Sequence, residues 1–259
     1  MSAQSVRSEP LLALHDVTVH FGAVVAVSEV SVEVGERDFV GLIGPNGAGK
    51  TTLFNVVSGF VRPTSGTVEF AGRDVTRWSP TKRARGGLVR TFQNVGLNKT
   101  VTVRENLLAA TTTGRVGVEL GDLVRPSERR DGASAQLDET VGHFGLGAYL
   151  DVKVRDLSTG IAKMVELSCA MLRKPRLLLL DEPSSGLSPD ETDRLGEMLD
   201  DLHRHSEVAI LMIEHDIPLI MRTAKYIHCL DFGEQIASGD PHSVRNNRVV
   251  IDAYLGEAS

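Results

Sequence analysis

The chain has 259 residues, of which 41% are hydrophobic and 24% are charged, close to the averages for globular proteins. This composition excludes a disordered or fibrous chain. The formal net charge is -6, which argues against a dedicated nucleic-acid binder because such proteins usually carry a basic surplus. The apolar runs at 177–180 and 208–213 are far shorter than the roughly 18 residues of a membrane-spanning helix, and residues 1–10 lack the apolar segment of a signal peptide. We therefore expect a folded cytoplasmic protein with no nucleic acid among its partners.

Strand-like and helix-like segments alternate along most of the chain after a polar tail at residues 1–10. The patterns predict strands at 11–21, 31–34, 39–43, 67–70, 88–93, 177–180 and 208–213, helices at 50–58 and 189–205, and a terminal hairpin from 226–230 and 235–238. The middle third differs, with predicted helices at 103–110, 133–144 and 161–172 and a loop at 114–131. We therefore predict an α/β fold, in one large or two small domains, with helices on both faces of its sheet and a helical insertion at about 95–165.

The segment GPNGAGKT at 44–51 matches the phosphate-loop pattern G-x-x-x-x-G-K-[ST] and lies between a predicted buried strand and a predicted helix. Gly44, Gly47 and Gly49 permit unusual backbone dihedrals, so that successive N–H groups can face one anion. The following helix directs its positive end at that anion, Lys50 can reach the β- and γ-phosphates, and Thr51 offers a hydroxyl to Mg²⁺. The segment therefore predicts a nucleoside triphosphate site.

Polar residues that follow the other predicted strands can complete such a site. Asp181 and Glu182 end the run LLLLDE, where the first carboxylate suits Mg²⁺ held through water and the second suits a general base. His215 could hydrogen-bond the γ-phosphate, and the amide of Gln93 could meet Mg²⁺ or the attacking water. Taken in isolation, an Asp-Glu pair at a strand end and a single histidine are more often structural than functional. For Gln93, an ordinary surface position and a functional role are equally good interpretations. The phosphate loop favours the functional interpretation for the carboxylates.

Seven elements resemble, in type and order, those of the ATP-binding-cassette (ABC) ATPases. They are Phe21, GPNGAGKT, Gln93, LSTGI at 157–161, LLLLDE at 177–182, SGLS at 185–188 and His215. The resemblance covers roughly 11–256, and the signature LSTGI separates this family from other phosphate-loop enzymes. It implies a phosphate-loop NTPase sheet with an N-terminal antiparallel β subdomain and a helical subdomain insertion.

The resemblance also implies ATP and Mg²⁺ as cofactors and assigns a role to each residue. Phe21 would stack on adenine. The phosphate contacts would come from Gly44, Pro45, Asn46, Gly47, Ala48, Gly49, Lys50, Thr51 and Thr52. Thr51, Gln93 and Asp181 would serve Mg²⁺, while Glu182, His215 and Gln93 would serve hydrolysis. Ser158 and Gly160 would contact ATP bound to an opposite subunit, so that a complete site needs two cassettes packed head to tail, the second being another chain.

The sequence departs from the family pattern at three positions. Thr159 stands where the signature usually has a second glycine, Ile161 where Gln or Glu is common, and Ser188 where Asp often ends the loop after the base. Because Ser158 and Gly160 supply the main contacts, we expect a functional site. The changes at Ile161 and Ser188 put communication between the two sites in doubt.

A narrower resemblance concerns the transported substrate. The segments RTFQN and TVRENLL, the sequence IEHD at 213–216 and the ending ASGDPHSVRNNRVVIDAYLG are similar to the branched-chain amino-acid importer subfamily. Lipid or lipopolysaccharide export ATPases have a comparable layout and remain an alternative, as does a non-transport ABC ATPase. The importer interpretation implies transmembrane permease subunits, a solute-binding protein acting indirectly, and a location on the cytoplasmic face of the membrane.

Overall fold

The computed structural model describes residues 9–91, 96–113 and 126–255. Within these residues the strands form two sheets, one antiparallel with the order β2-β1-β4-β5 and one with the order β10-β9-β3-β8-β7-β6. The strands are β1 (Leu12–Phe21), β2 (Val24–Val34), β3 (Phe39–Ile43), β4 (Ser65–Phe70), β5 (Arg73–Asp74), β6 (Leu88–Arg90), β7 (Leu177–Asp181), β8 (Ala209–Ile213), β9 (Tyr226–Asp231) and β10 (Glu234–Gly239). The second sheet is parallel from β6 to β9, and β10 closes its edge as an antiparallel hairpin with β9.

Helices cover one face of the parallel sheet, and the antiparallel sheet together with α1 covers the other. The helices are α1 (Lys50–Ser58), α2 (Pro80–Arg85), α3 (Val103–Thr113), α4 (Pro126–His143), α5 (Thr159–Met171), α6 (Pro189–His205), α7 (Ile217–Thr223), α8 (Pro241–Arg245) and α9 (Arg248–Leu255). Strand β7 contributes to the hydrophobic cores on both faces of the parallel sheet. Leu177 and Leu179 pack towards α1 and β1, whereas Leu178 and Leu180 pack towards the opposite helical layer, as the two-residue period of a strand requires.

The fold class predicted from the sequence is confirmed, and the bounds of three elements are as predicted: β3, α1 and α6. Strand β2 begins at Val24 rather than at residue 31, because its first half pairs with β1 across register shifts that interrupt the alternation. The predicted loop at 114–131 is wrong for Pro126–Asp131, which begins α4. Proline suits a first helical turn, but the polar residues after it lack the apolar periodicity that indicates a helix.

The middle of the chain forms a helical layer in which α3, α4 and α5 pack against one another.

Other predicted limits fare differently. Strand β6 ends at Arg90, short of the predicted residue 93. The domain limits at 11–256 and the insertion limits at 95–165 stay predictions. No helix within 9–91, 96–113 or 126–255 is long and apolar enough to cross a bilayer.

Parallel pairing of β3, β8 and β7 brings their carboxyl ends to one edge of the sheet. β3 leads into the loop before α1, β7 ends at Asp181, and β8 is followed by His215 two residues later. Ligands of open α/β sheets bind at this edge. The topology therefore gathers residues that are far apart in sequence.

Candidate nucleotide site

The loop between β3 and α1 adopts a backbone that requires glycine at two positions. Gly44 has φ 149° and Gly49 has φ 96°. A Cβ atom would lie 2.1 Å from the Leu230 carbonyl oxygen at Gly44 and 2.4 Å from the Ala26 carbonyl oxygen at Gly49. Positive φ and close backbone approach together require glycine at both positions, and the unusual dihedrals are those that the sequence predicted.

The interior of this loop is lined by donors suited to an anion. The Lys50 ammonium is buried and donates to the carbonyl oxygens of Gly44 and Pro45, with N···O distances of 2.6 and 2.7 Å. Gly49 precedes α1 without a side-chain cap, and the first turn of the helix contains no acidic residue. A helix start without a side-chain cap or an acidic residue suits a bound phosphate, because the N–H groups and the positive end of the helix point to that end.

A cleft of about 280 Å³ opens over the loop. The cleft is lined by residues 24–26, residues 46–52, Glu182 and His215. Val24 and Val25 are exposed apolar residues that the sequence analysis missed, because neither their exposure nor the start of β2 is visible in the sequence. Phe21 pairs with Val24 across the β1–β2 turn and is exposed, outside the residues that line the cleft.

Glu182 and His215 both line the cleft and contact each other. The Nε2 atom of His215 lies 2.8 Å from Oε1 of Glu182, and the two side chains are partly exposed. Glu182 has φ 48°, an uncommon conformation for a residue with a side chain and one that is concentrated at functional sites. Two residues predicted separately to serve hydrolysis thus form one hydrogen-bonded pair.

Asp181 precedes Glu182 and is almost fully buried at the end of β7. Its Oδ2 atom accepts a hydrogen bond from Nη2 of Arg90 at 2.5 Å, while Oδ1 has no hydrogen-bond partner within the described residues. The second terminal nitrogen of the guanidinium, Nη1, donates to the side-chain oxygens of Asn55 and Ser58 in α1 at 2.7 and 2.9 Å. The sequence analysis missed Arg90, since an arginine at a strand end has no distinctive pattern.

The oxygen donors of the site fit a Mg²⁺ ion. Carboxylate and hydroxyl oxygens are its preferred protein ligands, and the ion usually keeps several waters. The unpartnered Oδ1 of Asp181 is an acceptor that a metal-bound water would satisfy, and Thr51, in the first turn of α1, is part of the cleft wall. Gln93, the third predicted metal residue, lies outside the described residues.

The signature residues border a different cavity. Ser158 caps α5 by accepting a hydrogen bond from the Ile161 N–H at 3.3 Å, and Ser158 and Gly160 line a cavity of about 490 Å³ beside α6. Ser188 caps α6 in a reciprocal capping box with Glu191. Serine in place of aspartate therefore keeps the helix cap, since both residue types accept at this position. Hydrogen bonds from the Ser188 N–H and hydroxyl lower the pKa of Glu191.

The C-terminal helix contacts the phosphate loop. The Gly44 N–H donates to the Tyr254 hydroxyl of α9 at 2.8 Å, across 210 positions of sequence. In β9, burial lowers the pKa of His228 to about 4. Neither feature has a signal in the sequence, because both depend on which elements pack together.

Comparisons with known proteins agree with this geometry. The family model described as ABC transporter matches residues 27–185, and the model described as branched-chain amino acid ATP-binding cassette transporter matches residues 234–259. The chain is 42% identical to the high-affinity branched-chain amino acid transport ATP-binding protein LivG of Salmonella typhimurium, over 97% of this chain and 100% of that protein. It is 32% identical to the lipopolysaccharide export system ATP-binding protein LptB of Haemophilus influenzae, over 89% and 91%.

A solved ABC-transporter ATP-binding cassette in its ADP conformation superposes with a TM-score of 0.83 at 28% identity, covering 96% of this chain and 100% of that one. The family match spans more than half of the chain, and it includes the phosphate loop, Asp181 and Glu182. The chain therefore belongs to the ABC transporter family as an ATP-binding, ATP-hydrolysing subunit similar to those of branched-chain amino acid transporters.

Proposed function

We propose that this subunit hydrolyses ATP to drive import of branched-chain amino acids or related polar solutes. The single observation that carries the hydrolytic part is the hydrogen bond between Glu182 and His215, two residues that line the phosphate-loop cleft. The importer part rests on similarity. Identity to the branched-chain amino acid relative exceeds that to the lipopolysaccharide export relative, and residues 234–259 match the family model described for branched-chain amino acids.

Each residue of the site has a separate role in the proposed reaction. The N–H groups of residues 46–52 and the Lys50 ammonium hold the β- and γ-phosphates. Glu182 takes a proton from the water that attacks the γ-phosphorus, as the bond to the leaving ADP oxygen breaks. His215 donates through Nε2 to orient Glu182 or a γ-phosphate oxygen. Mg²⁺, held by Thr51 and through water by Asp181 and Gln93, would neutralise charge on the phosphates.

A second cassette chain is part of this proposal. Ser158 and Gly160 border a cavity other than the phosphate-loop cleft, so they suit contact with ATP held by another copy or by a related chain. ATP would then close the pair and hydrolysis would open it, which is a ligand-biased two-state element. Transmembrane permease subunits would convert this motion into transport on the cytoplasmic face of the membrane, with a solute-binding protein upstream.

Uptake in a strain lacking its own branched-chain amino acid transport tests the proposal. The chain is co-expressed with the permease and binding-protein subunits of a branched-chain amino acid transporter, and entry of labelled leucine is measured. We expect uptake with the wild type and none with Lys50→Ala, which loses the phosphate-binding ammonium, or with Glu182→Gln. Uptake that persists in both variants would show that ATP hydrolysis by this chain does not drive the import. Complementation of a strain deficient in lipopolysaccharide export, without leucine uptake, would favour the exporter alternative.

A further inference from the structure

Glu214 is a buried carboxylate between β8 and His215, with an exposed fraction of 1%. It accepts four hydrogen bonds. The Ser184 N–H donates to Oε1 at 2.7 Å, and the Ser184 hydroxyl donates to Oε2 at 2.9 Å. The N–H groups of His215 and Asp216 donate to the same Oε2 at 3.0 and 3.2 Å. One side chain thus joins the segment after β7 to the segment after β8.

These two segments carry the pair that faces the cleft. Ser184 lies two residues after Glu182, and His215 follows Glu214 directly, while Glu182 and His215 themselves are 2.8 Å apart. Glu214 is outside the set of residues that line the cleft, whereas Glu182 and His215 belong to it. Its influence on a nucleotide would therefore pass through these two neighbours.

The turn that Glu214 holds is a strained one. Glu182 has φ 48° and precedes Pro183, and the residue before a proline is normally extended. Strain of this kind persists only where the surrounding contacts fix it. The Glu182 N–H donates to the Ile213 carbonyl oxygen at 3.0 Å on one side, and Glu214 holds Ser184 on the other. Without the second contact the turn can relax and carry the Glu182 carboxylate away from His215.

The partners of Glu214 specify a carboxylate. Three of the four donors are backbone N–H groups, which cannot reverse their role. A glutamine of the same size has only one accepting oxygen and would direct its NH₂ group at one of these donors. Substitution by glutamine therefore leaves the shape of the side chain intact and removes half of its accepting capacity.

We propose that Glu214 is a positioning residue for ATP hydrolysis, which holds Glu182 within hydrogen-bonding distance of His215. The inference rests on the proposed roles of that pair. A substitution at Glu214 leaves Lys50 and the loop N–H groups untouched. We therefore expect it to slow the hydrolytic step and to leave nucleotide affinity unchanged. A misplacement of about 1 Å in a reacting group costs roughly 100-fold in rate, which sets the size of the expected effect.

The test compares Glu214→Gln with Glu105→Gln in the full chain. Glu105 is a matched control, since its carboxylate also accepts from a backbone N–H and a hydroxyl, both of Thr102, on the exposed surface of α3. ATP affinity, single-turnover hydrolysis and thermal unfolding are measured for each. We expect Glu214→Gln to lower the hydrolysis rate about 100-fold while ATP affinity changes less than about twofold, and Glu105→Gln to match the wild type.

Two further measurements separate positioning from simple damage to the fold. Ser184→Ala should lower the rate in the wild-type background and add nothing in the Glu214→Gln background, because both changes break one network. In a crystal structure of Glu214→Gln, Glu182 and His215 should be too far apart to form a hydrogen bond. An unchanged hydrolysis rate, an equal fall in ATP affinity, or an intact Glu182–His215 hydrogen bond would overturn the proposal. If the wild type fails to hydrolyse ATP both alone and with its partner cassette, the proposed function falls, while the crystal structure still decides the role of Glu214.

Discussion

Substitution of Arg90 by methionine should destabilise the protein severely. The guanidinium pairs with Asp181 at 2.5 Å, and the two side chains are 8% and 4% exposed, so water cannot replace the missing partner. The same guanidinium binds Asn55 and Ser58 near the end of α1. Methionine keeps most of the length of the side chain and none of its donors. The change therefore isolates the loss of charge and hydrogen bonds from the loss of packing.

The magnitude follows from the burial of the pair. Removal of one partner from a buried ion pair costs about 3–5 kcal/mol, because the other charge is left without compensation. For a chain of this size the loss corresponds to a fall in melting temperature of roughly 10 °C. Arg104→Met is the control, since Arg104 pairs with Asp151 on the surface and such pairs are worth below about 1 kcal/mol.

Calorimetry and denaturant titration of the full chain measure both variants. Asp181→Asn introduced into the Arg90→Met background removes the stranded charge, so it should recover part of the stability. The reasoning is refuted if Arg90→Met costs no more than Arg104→Met, or if the double variant is as unstable as the sum of its single changes.

Three other perturbations test separate parts of the molecule. Glu182→Gln should retain ATP binding, lower turnover by at least about 100-fold and trap an ATP-bound dimer, as measured by light scattering; turnover within a few-fold of the wild type would remove Glu182 as the base. Tyr254→Phe leaves the amide at the start of the phosphate loop without its acceptor and should cost about 1–2 kcal/mol by denaturant titration, whereas Tyr226→Phe, which loses an exposed hydroxyl contact at 3.3 Å, should cost less. Since the folded-state pKa of His228 lies near 4 and the unfolded-state value near 6.5, the unfolded chain binds the extra proton, and stability should fall as pH drops from 6.5 to 4. His228→Gln should reduce this fall by about 3 kcal/mol, and an unchanged slope would contradict the burial argument.

The phosphate-loop helix and the strand before it illustrate what local sequence can predict. Phe39–Ile43 is an unbroken run of apolar residues and glycine, and Lys50–Ser58 follows a glycine in the left-handed region. Both elements have the predicted bounds, because their causes are local. The strand is recognised by its own apolar residues, and the helix start is set by the glycine directly before it. Residues 126–131 were mistaken for loop because α4 is held by packing against α3 and α5 rather than by its own pattern.

The sequence by itself predicted the chemistry that we propose for the site, with a glycine loop for phosphates, carboxylates after one buried strand and a histidine after another. Their residue types and local spacing carry that information. Tertiary structure alone decided the supporting contacts of Arg90 with Asp181, Glu214 with Ser184 and Tyr254 with Gly44, which join residues 30 to 210 positions apart. Such pairs depend on strand order and on the packing of helices against the sheet, and no periodicity within either partner's own segment encodes them.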